Sequence, residues 1–433
     1  MAVTENGGDS GAQLRGAGFT ESPEGRNWYR SGRILALQAE ADKVEYALRE
    51  DVLPSTNVQK EAVGPGLVRF SWDSGADPGQ IVDDVRVACQ REWGERYTPK
   101  VSPDHLFGVN LDPITGQPFD AGGPAGLPRL PGNGDPNELA PRTVRQRSGE
   151  GVVVGVVDTG IARGSAIGLE PQDWLDGAFL ATPGDFDELN HEGSFGDQAG
   201  HGTFVAGVVL QHAPGATIRI ARALQPNGLG ESSEVADAIY RLARSGIDIL
   251  SLSLGSFTRK NNPPMAVEAA LNSLNCDVVV VAAAGNLGVV TEPGEPPVTT
   301  PREFWPAALP SVFSVGALDT NGLMANFSNS GPWVRAYTQG VDVFSTYLTR
   351  EDARDPQAVK QFRGYAYWSG TSFATPAVSG AIAARMQKDK VSAREAADRI
   401  MGDATSAVAG GKGGKSLILK PKVRARRGRS RAS

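Results

Sequence analysis

Four short runs of almost pure Val, Ile, Leu and Ala, separated by stretches with helical periodicity, constrain this chain more than any other feature. They are VVVGVV (Val152 to Val157), IRIARAL (Ile218 to Leu224), IDILSLSL (Ile247 to Leu254) and DVVVVAAA (Asp277 to Ala284). A strand with one wet face alternates apolar and polar residues, whereas a near-continuous apolar run belongs where both faces are covered. Joined by helical stretches such as Ser233 to Arg244, these runs predict an α/β parallel sheet with helices on both faces. The longest uninterrupted apolar stretch, Val278 to Ala284, is seven residues. A bilayer-spanning helix needs about 18 or more, so no transmembrane segment is expected.

Upstream lies a smaller pattern. Arg33 to Gln38 reads as a strand, followed by a helix with apolar residues at Val44, Ala47 and Leu48; Leu67 to Trp72 alternates as a second strand. A helix reaching Trp93 places Ile81, Val82, Val85 and Ala88 on one face, with Asp77 as its cap and Pro78 at its first position. Tyr97 to Val109, broken by prolines, reads as a tight turn into a short strand. The division that follows is a disordered start (1–30), a small α+β unit (31–110), a Pro/Gly-rich linker (111–137), the α/β domain (138–409) and a basic disordered tail (410–433). The chain carries 43 basic and 49 acidic residues, yet its last 22 residues hold nine Lys or Arg and no acid. That tail is read as a solvated end in preference to a nucleic-acid contact. Cys89 and Cys276 fall in different domains and are expected as free thiols. No phosphate loop or metal-ligand cluster is evident, so no cofactor is expected. The opening MAVTENGGDSGAQLR carries acids where a secretion signal needs basic residues and then an apolar run, which gives a cytoplasmic expectation.

The chemistry centres on Ser372, in SGTSFATPAVSGAIAAR, at the mouth of a helix of small residues. Helix-start N–H groups favour an oxyanion forming beside the hydroxyl, although a serine there can equally be a plain cap. A serine hydroxyl needs a neutral imidazole to take its proton. Of His105, His191, His201 and His212, only His201, flanked by glycines in AGHGTFVAGVVL, opens a helix; the other three are expected to be solvated. An imidazole base needs a carboxylate to fix its tautomer, and Asp158 ends an apolar strand at the carboxyl edge of the sheet, where such folds place their sites.

VVVGVVDTGI around Asp158, GHGTFVAG around His201, SLSLGS at Ser251 to Ser256, AAAGN ending at Asn286, and GTSFATPAVSG around Ser372 resemble the subtilisin-like serine proteases, in that family's order of Asp, His, Asn and Ser. The resemblance covers about 138 to 408. It implies Ser372 as nucleophile, His201 as general base and acid, Asp158 as its orienting partner, and Asn286 with the Ser372 backbone N–H as oxyanion donors. It further implies that Leu254, Gly255 and Ser256 pair with an extended polypeptide substrate, with Gly230 on a second strand near Gly228 to Glu231. Gly285, with Glu303 or Phe304 near the floor, would line the pocket for the residue before the cut. Phe304 would leave room for small side chains and Glu303 would favour Lys or Arg; the cost of an unpaired buried carboxylate favours the first.

The sequence departs from the family pattern at Phe373, where secreted members commonly have methionine, and at Phe204 and Ala377, where histidines are frequent. The helix after His201 also runs on without the insertion that carries a tight calcium site in secreted relatives. The leading expectation is a serine endopeptidase acting through an acyl-enzyme. Its rivals are an acyl transferase or macrocyclase, with Phe373 shielding the acyl-enzyme, and a catalytically silent binding module. The N-terminal unit resembles the family's inhibitory propeptides in layout alone, with VSPDHLFGVN crossing the cleft; a permanently attached accessory domain is the other reading. Oligomeric state is not legible.

Overall fold

The polypeptide folds as two units joined through a shared sheet edge, described here from a computed structural model. It describes residues 10–23, 27–109, 126–130, 148–162, 179–180, 182–186, 196–288, 302–351, 361–407 and 414–419.

The N-terminal unit comprises α1 (Ser10–Gly16), β1 (Phe19–Glu21), β2 (Trp28–Leu37), α2 (Ala41–Ala47), β3 (Gln59–Ala62), β4 (Leu67–Ser71), α3 (Pro78–Trp93) and β5 (Val101–Gly108). Its antiparallel sheet runs β3-β4-β2-β5, with β1 on β2. Alternation works here as expected: Ile34 and Ala36 of β2 and Val68 and Phe70 of β4 face α2 and α3, burying Val44, Ala47, Leu48, Ile81, Val82 and Val85. Asp77 caps α3, its Oδ1 accepting the Gln80 N–H at 2.7 Å. The start of the chain is not wholly unstructured, contrary to the sequence expectation for 1–30. Leu14, Phe19 and Trp28 are buried with Leu106, Phe257, Leu287 and Phe304, an anchorage invisible in a polar, Gly-rich stretch because its three apolar residues share no period.

The second unit carries a nine-stranded sheet. The described strands of this unit, inside and outside that sheet, are β6 (Val153–Asp158), β7 (Phe179–Leu180), β8 (Thr217–Arg222), β9 (Leu229–Glu231), β10 (Ile249–Leu252), β11 (Val279–Ala283), β12 (Phe313–Leu318), β13 (Ala336–Gln339), β14 (Val343–Glu351), β15 (Gln361–Trp368), β16 (Thr405–Ala407) and β17 (Lys415–Ser416). The main sheet runs β16-β17-β13-β12-β11-β10-β6-β8-β7; β14 and β15 form a hairpin, and β9 pairs with β5 of the first unit. The four apolar runs are the adjacent parallel strands β11-β10-β6-β8. Alternate side chains enter two cores. Val154, Val156 and Val281 lie on the face covered by α4 (His201–His212), α7 (Thr371–Asp389) and α8 (Ala393–Gly402). Val157, Leu250 and Ala282 lie on the face covered by α5 (Ser232–Arg244) and α6 (Met265–Asn272).

Two boundaries shift from the sequence expectation. Residues 414–419, assigned to the disordered tail, include β17, which hydrogen-bonds β13 and β16. Within the linker, Arg129 pairs antiparallel with Tyr367 of β15 through hydrogen bonds of 2.7 and 2.9 Å, and Trp368 Nε1 donates to the Gly126 carbonyl at 2.9 Å. Cys89 is buried and Cys276 exposed, both free. No described helix is long and apolar enough to cross a membrane.

Candidate active site

β6 ends at Asp158 and α4 begins at His201, and the sheet brings these two side chains together. His201 Nδ1 lies 2.8 Å from Asp158 Oδ1, which also accepts the Thr159 N–H at 2.7 Å. A carboxylate accepts from the Nδ1–H tautomer, which leaves Nε2 as the lone-pair nitrogen a base needs. The approach depends on Gly202: a Cβ there would overlap the Gly160 carbonyl and come within 3.2 Å of Asp158 Cβ. His201 is buried, its ring 5.3 Å from both Trp368 and Phe373. Phe373 in turn packs tilted against Phe204, ring centroids 4.5 Å apart. Two of the departures from the family pattern, Phe373 and Phe204, therefore form one packing unit beside the imidazole. Phe373, at 1% exposure, is not on the rim where it could shield an acyl-enzyme.

Ser372 is the second residue of α7, and Pro376 stands four residues on. Proline has no N–H, so the Ser372 carbonyl lacks its helical donor. The Ser253 hydroxyl supplies one at 2.7 Å, while Ser372 Oγ donates to the Ser253 carbonyl at 3.3 Å. This reciprocal pair ties the helix start to the strand edge beyond β10. Among the described residues, no hydrogen bond joins Ser372 to His201. Asn286 follows β11, with Oδ1 accepting the Thr371 N–H at 2.7 Å and the Thr371 hydroxyl at 2.8 Å. With its oxygen held inward, the side chain turns its NH₂ toward Gly370, a neutral donor beside Ser372. Sequence reasoning missed Ser253 and Thr371. A proline four residues after the serine was the available signal for the first.

The cleft beside these groups is filled by β5. Leu106, Phe107 and Gly108 pair antiparallel with Glu231, Gly230 and Leu229. On the other side, Gly108 exchanges two 2.9 Å hydrogen bonds with Gly255, and the Val109 N–H donates to Gly228 at 3.2 Å. Gly230 and Gly255 thus both pair with the chain's own β5. Ser256 differs, because its backbone pairs with Trp305 and only its hydroxyl reaches the strand, donating to the Leu106 carbonyl at 2.6 Å. Leu254 and Phe107 are buried in one apolar cluster. Phe304 is buried, and a Cβ on Gly255 would overlap its ring while one on Gly285 would lie 3.1 Å from it. Glu303 is half-buried, its carboxylate accepting from the Asn261 side chain.

Charge organises the contact between the two units. Asp104, fully buried, accepts from the Ser232 hydroxyl (2.7 Å), the Ser233 N–H (2.9 Å) and the Ser233 hydroxyl (2.7 Å), capping α5. Burial, reinforced by neighbouring Glu231, pushes its pKa up. Arg30 and Arg33 pair with Glu231. His105 and His212 are buried, against the expectation of solvated rings. His105 Nε2 accepts the Arg259 N–H at 3.3 Å, and burial, with the Arg259 charge, holds its pKa down at about 3. His191 lies outside the described residues. Among those residues, no group of three or more His, Cys, Asp or Glu could hold a metal ion.

A twisted parallel sheet with helices on both faces, and Asp, His and Ser in that chain order at its edge, defines the subtilisin-like class. The chain belongs to the subtilase family, whose pattern matches residues 149–418. It is 34% identical over 275 residues to a thermophilic serine proteinase of Bacillus sp. (strain AK1), covering 60% of this chain and 59% of that one. It is 31% identical over 268 residues to subtilisin DY of Bacillus licheniformis, covering 60% and 85% respectively. A solved structure described as a cold adapted subtilisin-like serine proteinase aligns with TM-score 0.47 and 25% identity, over 64% of this chain and 91% of that one. The chain thus spans less than two thirds of the thermophilic proteinase's length.

Proposed function

We propose that this chain is a serine endopeptidase in which Ser372 attacks the peptide carbonyl, His201 takes and returns the proton, Asp158 orients the imidazole, and Asn286 with the Ser372 N–H receives the oxyanion. The observation that carries the reading is the 2.8 Å Asp158–His201 contact beside a cleft that already grips extended chain on both edges. Such a cleft takes its substrate by strand addition, using backbone hydrogen bonds for affinity and alternate side chains for selection. To act as nucleophile, Ser372 Oγ must leave the Ser253 carbonyl, to which it donates at 3.3 Å, and give its proton to His201 Nε2.

The N-terminal unit is read within this proposal as an inhibitory propeptide-like domain. Strand β5 lies where substrate would, with Asp104, Arg30 and Arg33 fastening it to the start of α5. The test is labelling by a serine-reactive fluorophosphonate together with peptide hydrolysis. Ser372→Ala and His201→Ala should each abolish hydrolysis nearly as completely as both together, because they act as one proton-transfer unit. Substantial activity in either single variant would sink the assignment. Asn286→Ala should cost about 10² to 10³ in turnover, the usual loss for an oxyanion donor.

A further inference from the structure

Strand β5 stays fastened to the second unit one residue beyond its paired stretch, because the His105 N–H donates to Ser232 Oγ at 3.2 Å. An extended peptide following the same register is therefore still held where His105 stands, three residues before the one that faces Gly255. The second unit also meets the side chain at that position. His105 Nε2 accepts the Arg259 N–H at 3.3 Å, and His105, Arg259 and Lys260 line one cavity of about 410 Å³ between the units. Glu268 is the acid among the second unit's lining residues, whose charge is net positive. Lys260 and Asn261 have left-handed φ values of 54° and 53°, which residues other than glycine seldom adopt. That turn brings two cations to one carboxylate. The Arg259 guanidinium donates to both oxygens of Asp83, at 3.1 and 2.8 Å, and Lys260 Nζ donates to the same oxygens at 3.2 and 3.1 Å. The Arg259 hydrogen bonds, ahead of those from Lys260, hold the Asp83 pKa down to about 2. At the His105 ring, burial and the Arg259 charge act against a cation.

We propose that Arg259 and Lys260 form a distal subsite that selects a carboxylate side chain in the polypeptide substrate, at the position His105 occupies in the docked strand, and disfavours Lys or Arg there. The inference rests on the peptidase reading above and deepens it. Glu reaches about as far from the backbone as His, so the Arg259 N–H donates to a carboxylate oxygen in place of imidazole Nε2. The guanidinium and the ammonium then take from substrate the charge that Asp83 supplies when the N-terminal unit is docked. Hydrogen bonds to an ionised acceptor are roughly twice as strong as neutral ones. Lys and Arg bring a like charge and no acceptor.

The experiment gives the full-length chain a mixture of peptides copying residues 101–109, extended by a constant cleavable tail, with Glu, Gln or Lys in place of His105. Competing peptides in one mixture yield ratios of kcat/KM that do not depend on how much enzyme its own N-terminal unit blocks. Glu should be preferred to Lys by at least about tenfold, with Gln between them. In Arg259→Gln/Lys260→Gln the three should fall within about twofold of one another, whereas Arg259→Lys should keep the wild-type order. Lys260→Gln alone should narrow the Glu-to-Lys ratio, in case the double variant folds poorly. Fluorophosphonate labelling reports independently on Ser372. Labelled, active enzyme that cuts all three alike, prefers Lys, or keeps its preference in the double variant would overturn this inference and leave the peptidase reading standing. Unlabelled, inactive wild type would overturn both.

Discussion

At the residue scale, the site depends on side chains that never touch substrate. Thr371 Oγ1 accepts the Gly285 N–H at 3.1 Å and donates to Asn286 Oδ1 at 2.8 Å, so it fixes the side chain proposed as the oxyanion donor. Thr371→Val should lower kcat about tenfold with little change in KM, the worth of about one hydrogen bond, and Thr371→Ser should keep the wild-type rate. Steady-state kinetics on a peptide substrate decide this; a KM-dominated loss would mean that the hydroxyl serves binding instead. Gly202→Ala should be more damaging, since its methyl meets the Gly160 carbonyl and forces α4 away from Asp158; activity should drop at least about tenfold while the folded fraction by circular dichroism falls far less. The candidate triad was legible because each member stands at a strand end or helix start, flanked by glycines that have no other reason to cluster. The burial of His105 was not legible. A histidine's solvation depends on what lies opposite it, and here Tyr29 and Arg259 come from distant parts of the chain.

At the element scale, the strands read most reliably were those covered on both faces, because such burial demands unbroken apolar sequence. β3 was missed since all four of its residues, Gln59–Ala62, are exposed and only backbone pairing with β4 holds it. The β14–β15 hairpin escaped for a related reason: it gains its cover from α4, where Gly207 lets Ser345 and Thr346 come close, and that contact has no local signature. β5 also carries a pH dependence. His105 titrates at about 3 when docked, against an ordinary 6.5, so the undocked strand binds the proton more readily. Docking is at full strength on this account above about pH 6.5 and weakens toward pH 3, by up to about tenfold per pH unit. Glu234, raised to about 7 by burial and by Glu231, and Asp104, raised by burial, act in the opposite direction. The His105 share is therefore isolated by comparing wild type with His105→Asn. In a Ser372→Ala background, separation of the N-terminal unit cut off by an engineered protease site should rise between pH 7 and 5 more steeply in wild type than in the Asn variant. Parallel curves would remove His105 from the account.

At the scale of the whole molecule, the two units share a sheet edge through β5 and β9, and the chain is fastened on both sides of Ser372. Residues 106–109 lie in the cleft, and residues 126–130 reach β15, just before Gly370. This organisation was half legible: composition located a linker, but the Arg129–Tyr367 pairing within it depends on an edge of β15 that sequence does not advertise. On the proposed peptidase and propeptide reading, self-cleavage between the N-terminal unit and the α/β domain should occur within one molecule. Over about a hundredfold range of protein concentration, conversion measured by intact mass should follow one first-order rate, and a rate that rose with concentration would show one molecule cutting another. Severing the chain changes what holds β5 down. While the tether is whole, the strand proposed as inhibitory is present at an effective concentration on the order of millimolar, whatever the amount of protein in solution. Once the chain is cut, the strand is an ordinary ligand at its bulk concentration, and latency becomes a matter of dilution: the same processed sample should stay quiet when concentrated and wake when diluted.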